Sequence, residues 1–371
     1  MNLSYWEYDS WLTDIDFTIV GSGIVGLNCA IDLKRQHPKA KILILEKGMF
    51  PQGASTKNAG FACFGSISEL LADRENHTDQ EILSLIQDRK EGIDQLRKLV
   101  GDKTLEFQQK GGHELFTDGE SALFETCLAH LPWANALLEP VFGDKAFGLT
   151  KNRFQFKGIR PHYITQRHEG QLHTGQMMKA LLQKALTMGI TILNGVTVED
   201  FSASPAAVAV QTQAFDLKTT HLLIATNGFA KQLLAEDVRP ARAQVLLTKP
   251  IPDLPLSGTF HLDQGYYYFR NVENRILLGG GRNLDFKAEE TMEFGETEMV
   301  QRTLEHLLRE VILPDQALEI EHRWSGIMGV GPQKKPILKV VAPNVACGVR
   351  LGGMGVAIGT STGIKLAQMT L

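Results

Sequence analysis

Three glycines between residues 21 and 26 have the type and spacing of a nucleotide-binding turn. Gly21, Gly23 and Gly26 directly follow the apolar run at residues 17–20, and helical spacing continues over residues 27–37. The first glycine permits a tight turn, the second lets backbone amides approach a pyrophosphate, and the third allows the helix to pack closely on the strand. A diphosphate would then lie on the positive amino terminus of the helix. The pattern predicts a dinucleotide site, and a purely structural glycine turn is the alternative.

An acidic residue stands where such a unit requires one. Glu46 ends a second β-rich run at residues 41–45, about 20 residues beyond Gly26. A carboxylate at this position accepts hydrogen bonds from an adenosine ribose and repels a 2′-phosphate, which argues against NADP. Strand, turn, helix, second strand and acid in this order favour the nucleotide interpretation.

Composition narrows the class of protein. A chain of 371 residues predicts about two or three domain-sized units. The net charge of −4 provides no basic field for nucleic acid, so a small-molecule site is expected. The four cysteines form no CxxC and no Cys/His ligand spacing, which predicts reduced thiols and no metal site.

Targeting signals are not visible in the sequence. Residues 1–16 contain four acidic residues and no apolar segment of the secretory type. Residues 351–367 are largely uncharged, but they are rich in Gly, Ser and Thr and too short for a convincing span. A cytoplasmic protein without an integral membrane segment is therefore expected.

The spacing of apolar residues predicts the elements that would carry a site. Thr78 and Glu81 form a capping-box pattern before a helix that Gly101 stops, and Thr174 can cap a second helix that Gly189 ends. Strands are predicted at 191–193, 196–198 and 221–225. The last of these runs directly into small polar residues, where doubly wound folds place ligands.

A second layer follows in the chain. Residues 244–248, 259–262, 266–270 and 275–278 read as antiparallel strands, and Pro314 stops a helix after them. The predicted fold class is α/β (α+β), with a Rossmann-type nucleotide-binding domain interleaved with an antiparallel-sheet substrate domain and the ligand between them. The nucleotide-binding domain comprises residues 1–78, 160–236 and 318–371, and the substrate domain comprises residues 79–159 and 237–317.

Taken together, the motifs resemble the D-amino-acid oxidase superfamily of FAD-dependent oxidoreductases, especially proteins of the glycine oxidase and γ-glutamylputrescine oxidase type. The similarity covers essentially the whole chain. It rests on the order and spacing of residues 21–26 with Glu46, 53–60, 225–228, 242–244, 266–270 with 275–281, 324–326 and 352–363.

The resemblance implies that the dinucleotide is FAD. Residues 353–356 would present a helix amino terminus to the flavin, where negative charge accumulates on reduction. The implied cofactor-binding residues are Gly21, Gly23, Ile24, Val25, Gly26, Glu46, Lys47, Ser55, Asn58, Ala59, Val198, Ala225, Thr226, Gly326, Gly353, Met354, Gly355 and Val356.

Substrate-site candidates come from one predicted strand and its neighbours. Tyr266, Tyr268 and Arg270 alternate along the strand and so share a face, which the resemblance places over the flavin. Arg270 is either a substrate anchor or the partner of an acid such as Glu273. Trp324 either packs on the flavin or fills core.

Three positions depart from the family pattern. The arginines that clamp a substrate carboxylate in glycine-oxidase-like members fall at the positions of Met328 and Gly353, so a simple α-amino acid in the familiar pose is not expected. A histidine that carries covalent flavin is matched by Asn58, which favours non-covalent FAD. A lysine that speeds reaction with oxygen is matched by Leu277, so the electron acceptor stays open between O2 and another oxidant.

The leading hypothesis is an FAD-dependent enzyme that oxidises the C–N bond of an amine or amino-acid-like substrate. A neutral amine would pass hydride to flavin N5, and the imine would hydrolyse after release. Two alternatives remain: an FAD-dependent dehydrogenase of a 2-hydroxy acid or polyol phosphate on the same fold, and a non-catalytic nucleotide-binding module.

Overall fold

The computed structural model describes residues 2–314 and 316–370, which form two large β-sheets with helices packed around them. Met1 and Leu371, the outer ends of the predicted segments 1–78 and 318–371, lie outside the described residues. The strands are β1 Ile15–Val20, β2 Ile42–Glu46, β3 Phe61–Ala62, β4 Gly112–Glu114, β5 Phe147–Lys151, β6 His162–Gln166, β7 Gly170–Gln171, β8 Thr191–Asn194, β9 Val198–Ala203, β10 Val208–Thr212, β11 Asp216–Ile224, β12 Arg239–Thr248, β13 Thr259–Leu262, β14 Tyr267–Val272, β15 Arg275–Gly280, β16 Ile320–Val330, β17 Ile337–Ala342 and β18 Val345–Val349.

The helices connect these strands and cover the sheets. They are α1 Tyr5–Glu7, α2 Ile24–Gln36, α3 Ala54–Lys57, α4 Ile67–Asp73, α5 Asp79–Val100, α6 Asp102–Leu105, α7 Ser121–Ala129, α8 Leu131–Phe142, α9 Thr174–Thr187, α10 Glu298–Leu307 and α11 Gly355–Gln368. Short 3-10 turns lie at Asn227–Gln232, Asp263–Gly265 and Arg282–Leu284.

The first sheet has a parallel centre. Its order is β17-β18-β11-β1-β2-β8, and β9 and β10 extend it from β11. Strand β1 pairs in parallel with both β2 and β11, and β2 is buried along its whole length, as expected for a strand covered on both faces. The predicted strand–turn–helix–strand unit is therefore present as β1, α2 and β2.

The second sheet is mainly antiparallel. Its order is β16-β12-β15-β14-β13-β4-β6-β5, with β13 and β4 as a parallel pair. The predicted fold class, a Rossmann-type domain with an antiparallel sheet, is confirmed.

Two strands and one helix pack against a different part of the fold from the one in which the sequence placed them. Strands β6 and β16 belong to the second sheet, although both lie in segments assigned to the nucleotide domain. Helix α5, assigned to the substrate domain, packs on α11, where Ser361 Oγ donates to Asp88 O over 3.0 Å. An apolar pattern shows that a strand or helix is buried, but it does not show which sheet provides the partner.

Two predicted helix starts have different outcomes. Thr78 and Glu81 form the predicted capping box of α5, and Gly101 follows its last residue. Helix α9 is capped by His173, not Thr174, because the His173 ring accepts from the Gln176 amide over 3.2 Å. The Thr174 hydroxyl is used elsewhere: it donates to Asn58 Oδ1 over 2.9 Å and so ties α9 to the loop after α3.

Candidate active site

A cavity of about 510 Å³ lies between the two sheets. One end is formed by the glycine turn after β1 and by the carboxyl ends of β2 and β11. The other end is formed by the 263–268 segment, Arg282 and Met328 of the second sheet. A molecule bound along the cavity would therefore touch both sheets.

The turn at the nucleotide end requires its glycines. Gly21 has φ of +101°, a conformation that L side chains rarely adopt, and a Cβ at Gly26 would lie 2.0 Å from the Gly21 carbonyl oxygen. A Cβ at Gly23 would lie 2.8 Å from Ser55 Oγ. That hydroxyl accepts from the Ile24 amide over 2.9 Å, so Ser55 stands at the amino terminus of α2. Val25, in the first turn of α2, also lines the cavity.

Glu46 is buried at the end of β2 and is held by protein donors. Its Oε2 accepts from the Ser22 amide at 3.0 Å and the Ser22 hydroxyl at 2.8 Å, and its Oε1 accepts from the Gly48 amide at 3.0 Å. Each carboxylate oxygen has more than one lone pair, so the fixed carboxylate can also accept from a ribose hydroxyl.

Other predicted residues surround this end of the cavity. Lys47 Nζ lies 3.4 Å from the centre of the Phe229 ring, and burial lowers its pKa despite the nearby Glu46 charge. Val198, Ala225 and Thr226 line the wall. Thr226 Oγ1 is buried without a hydrogen-bond partner, as expected for a hydroxyl that contacts a ligand.

Asn58 organises the loop between α3 and β3. Its Nδ2 donates to the Ala54 and Ser55 carbonyls at 3.1 and 2.8 Å, and its Oδ1 accepts from the Gly60 amide at 2.9 Å. Ala59, the next residue, lines the cavity. The Asn58 side chain thus sets the shape of the loop that resembles the flavin-contacting loop of the family.

The amino terminus of α11 also reaches the cavity. Gly353, Met354, Gly355 and Val356 line it together with Gly326 of β16. A helix amino terminus carries partial positive charge and stabilises a nearby anion. With the termini of both α2 and α11, the glycine turn and the unpaired Thr226 hydroxyl, the cavity fits a diphosphate-linked flavin.

Tyr266 and Tyr268 both line the cavity, but they do not lie on the same face of one strand. Tyr268 is half-buried in β14, and burial raises its pKa to about 12. The prediction for Tyr266 is wrong in position: β14 begins at Tyr267, because residues 263–265 form a 3-10 turn in which Gln264 has φ of +53°. Met328 lines the cavity, and its Sδ lies 4.0 Å from where a Gly353 Cβ would be.

Arg270 does not line the cavity, which contradicts its expected position over the flavin. Its guanidinium donates to the backbone carbonyls of Ala59, Leu172 and Asn271, the latter two at 3.0 and 3.3 Å. The suggested partner Glu273 instead pairs with Arg275 at 3.2 Å. Since β14 passes from the cavity wall to beneath the Ala59 loop, a side chain two residues beyond Tyr268 is covered.

Trp324 also lies behind the cavity wall, not on it. Its Nε1 donates to the Lys57 carbonyl over 2.9 Å, and the ring packs in a small cluster with Ala59, Val245 and Leu277. Of the two predicted roles, core packing describes the observed contacts.

Several charged residues of the cavity were not among the sequence candidates, and three of them stand out. Arg282, Glu69 and His261 all line its second-sheet end. His261 Nε2 lies 3.6 Å from Glu169 Oε2. Burial alone would lower the His261 pKa, but the adjacent Glu169 carboxylate, with smaller contributions from other carboxylates, raises it.

The sequence contained a signal for one of these three. Arg282 follows a predicted strand and three glycines, a place where a long side chain can enter a site. His261 lies inside a correctly predicted strand, but its pairing with Glu169 is a tertiary contact between distant parts of the chain.

Residues 2–314 and 316–370 contain neither a metal-binding cluster nor a membrane-spanning helix. No group of three or more His, Cys, Asp or Glu side chains in this part of the chain could hold a metal ion. No helix among the same residues is long and apolar enough to cross a membrane.

Known proteins resemble the chain over most of its length. It is 24% identical over 376 residues to the probable oxidoreductase OrdL of Rhizobium meliloti (strain 1021), covering 96% of this chain and 83% of that protein. It is 23% identical over 350 residues to the bifunctional protein ThiO/ThiG of Trichormus variabilis, covering 87% of this chain and 47% of that protein. The chain thus spans about half the length of this bifunctional relative.

Solved structures share the fold. Glycine oxidase from Geobacillus kaustophilus has a TM-score of 0.76 at 18% identity, covering 96% of this chain and 94% of that one. L-proline dehydrogenase from P. horikoshii has a TM-score of 0.75 at 17% identity, covering 96% and 93%. Iminodiacetate oxidase from Chelativorans sp. BNC1 has a TM-score of 0.75 at 19% identity, covering 95% and 94%.

Residues 16–369 match the DAO family model, which describes FAD dependent oxidoreductases. The chain therefore belongs to the DAO family and is an FAD-dependent oxidoreductase.

Proposed function

We propose that this enzyme oxidises the C–N bond of an amine or amino-acid-like substrate. The observation that carries the proposal is a continuous cavity, which joins the nucleotide turn to an aromatic wall formed by Tyr266 and Tyr268. Bound FAD would supply the hydride acceptor, at flavin N5, and the imine product would hydrolyse after release. The names of the similar structures, glycine oxidase and L-proline dehydrogenase among them, support an amino acid or amine as substrate.

The aromatic wall supports binding of a neutral amine. Burial raises the Tyr268 pKa to about 12, so its phenol stays uncharged and can donate or accept a hydrogen bond. A partly apolar wall disfavours the charged form of an amine by desolvation. The neutral amine is the form whose adjacent carbon can release hydride.

The protein groups around the expected flavin position suit negative charge on the reduced cofactor. Gly353, Met354 and Gly355 bring the amino terminus of α11 to the cavity. Preorganised backbone dipoles stabilise developing charge without reorganisation. The Asn58 amide, engaged in four hydrogen bonds, supports non-covalent retention of FAD.

Oxidation of a hydroxy acid or polyol phosphate has less support from the structure. This chemistry would require a cluster of anion-binding groups at the second sheet. Arg242 of β12 is not available for this role, because its Nε and Nη2 donate to Glu289 at 2.8 and 3.1 Å. A cytoplasmic location is also proposed, on the ground that all four cysteines are free and buried.

An anaerobic screen tests the proposed function. Purified holoenzyme is mixed with amines, amino acids and hydroxy acids, and bleaching of the flavin absorbance is followed by stopped flow. We expect amines, or amino acids with a carboxylate remote from the reacting carbon, to bleach the flavin faster than glycine, sarcosine or D-alanine. Bleaching by hydroxy acids alone would refute C–N oxidation.

A further inference from the structure

Arg282 is a cavity-lining guanidinium without an acceptor. Three arginines line the cavity, and two of them donate to backbone carbonyls: Arg89 to Phe64, and Arg350 to Asp237 and Lys335. Within residues 2–314 and 316–370, no carboxylate or carbonyl pairs with Arg282. A partly buried guanidinium in this condition is suited to bind an anion that enters the cavity.

Aromatic rings fix the direction of this side chain. The Arg282 guanidinium carbon lies 5.4 Å from the centre of the Tyr266 ring and 5.2 Å from that of Phe286. These two rings contact each other at 5.8 Å in an edge-on arrangement. Ring contacts orient a guanidinium while leaving its N–H groups free, so the planar donor pair is available to a carboxylate. Burial lowers the Arg282 pKa, but an arginine stays protonated at neutral pH.

The position of Arg282 differs from that of the family's carboxylate clamps. Those clamps fall at Met328 and Gly353, neither of which can pair with an anion through its side chain. Gly280 at the end of β15 and Ser325 in β16 both pair with Gln244, so they lie two strand spacings apart, roughly 10 Å. Arg282 follows β15, whereas Met328 lies further along β16. Arg282 therefore enters the cavity from a different strand than the clamp position, so an anion on Arg282 occupies a different place from one held beside Met328.

We propose that Arg282 binds a carboxylate that the substrate carries several bonds away from the carbon that loses hydride. Preferred substrates are then amines with a remote carboxylate, such as linear ω-amino acids, and not α-amino acids. This inference rests on the proposed function for the identity of the reacting carbon. Its test uses binding to the oxidised holoenzyme, which does not depend on turnover.

The binding test uses ligands that cannot be oxidised at nitrogen. Oxidised holoenzyme is titrated with linear carboxylates from acetate to hexanoate, and with the methyl ester of each, while the flavin absorbance is recorded. For the best-fitting chain length we expect the carboxylate to bind about 10- to 100-fold tighter than its ester, as for a charge-assisted bidentate pair. Because this comparison uses the unaltered protein, it does not depend on any variant folding correctly.

Variants of the protein then test whether Arg282 causes the preference for carboxylates over esters. In Arg282→Met the advantage of the carboxylate over its ester should disappear, and in Arg282→Lys part of it should remain. Arg275→Met is the matched control, because Arg275 starts the same β15 strand but pairs at the surface with Glu273 and Glu321 and does not line the cavity. It should keep the full preference.

The two proposals fail in different ways. A carboxylate preference that is absent from the unaltered protein, or that survives in Arg282→Met, overturns the role of Arg282 even if amines bleach the flavin. A preference that depends on Arg282 supports the anchor even if no amine bleaches the flavin, in which case C–N oxidation is the proposal that fails.

Discussion

Gly23 is a residue whose size directly limits cofactor binding. A side chain there would meet Ser55 Oγ at 2.8 Å and occupy the approach to the α2 amino terminus. We expect Gly23→Val to abolish FAD retention in the purified protein, measured by the flavin-to-protein absorbance ratio. Gly53→Val is the control, since a Cβ at Gly53, on the same cavity, meets no atom within 4 Å. Full FAD occupancy in Gly23→Val would contradict the assignment of the turn.

Glu114 gives a prediction about pH. This carboxyl is buried, and burial raises its pKa from 4.5 to about 7, against the opposing effect of hydrogen bonds from Ser66 and Ser68. The folded state thus binds the proton more tightly than the unfolded state, so this group's stabilising contribution is full below about pH 4.5 and is lost as the pH rises through about 7.

Replacing the Glu114 carboxyl should make the unfolding free energy depend less on pH between pH 5 and 8. Between pH 5 and 8 we expect the unfolding free energy of Glu114→Gln to fall less than that of the unaltered protein, by roughly 2–3 kcal/mol at most. Urea unfolding at a series of pH values measures this, with exposed Glu125→Gln as the control. Parallel profiles for Glu114→Gln and the unaltered protein would show that Glu114 does not titrate in this range.

At the scale of elements, Arg270 connects three backbone segments that lie behind the cavity wall. It bonds the Ala59 loop, the residue after β7 and its own strand β14 through backbone carbonyls. Arg270→Met would leave buried carbonyls without donors, which costs about 2–4 kcal/mol of unfolding free energy. We expect the variant to lose FAD more readily while keeping its preference for carboxylates over esters. Chemical denaturation and flavin release measure the first effect, and Arg275→Met should show a much smaller loss.

The elements also show what the sequence could predict. Local signals were sufficient for the start of α5 at Thr78, for the β13 strand and for the glycine turn, because caps, alternation and steric limits act within a few residues. The partners of Arg270 and the sheet to which β16 belongs depend on contacts between distant segments. The period-2 pattern put Tyr268 and Arg270 on one face of the strand, and the resemblance placed that face over the flavin. Tyr268 lines the cavity, but the pattern contains no information about the Ala59 loop that covers Arg270.

Cofactor release is a property of the whole molecule. Because the resemblance matches Asn58 to a flavin-bearing histidine, acid precipitation of the yellow protein should leave FAD in the supernatant. Added FAD should also raise the melting temperature, because it binds only the folded state; at 1,000 times the dissociation constant the stabilisation is about 4 kcal/mol. Colour that remains with the precipitate would contradict non-covalent binding.

The electron acceptor is a second prediction for the whole enzyme. Leu277, which the resemblance matches to an oxygen-activating lysine, is buried with Ala59 and Val245 and brings no charge to the cavity. We expect reduced enzyme to be reoxidised more slowly by air than by an artificial dye or quinone. Stopped-flow reoxidation decides this, and a rate in air that matches turnover would favour a true oxidase. Lys57, which also lines the cavity, is the cation to replace in that case.

The four free cysteines provide an internal reporter of opening of the fold. All are buried, and burial raises the pKa of the Cys63 thiol well above its usual value and that of Cys127 to about 12. Alkylating reagents attack thiolates, so the native protein should resist a short pulse of iodoacetamide. Cys63 is distinct because it lines the cavity, 3.3 Å from Met354 Sδ. Its thiol is as shielded as the other three, so a mass increase after such a pulse would count the molecules whose fold has opened, without any optical measurement.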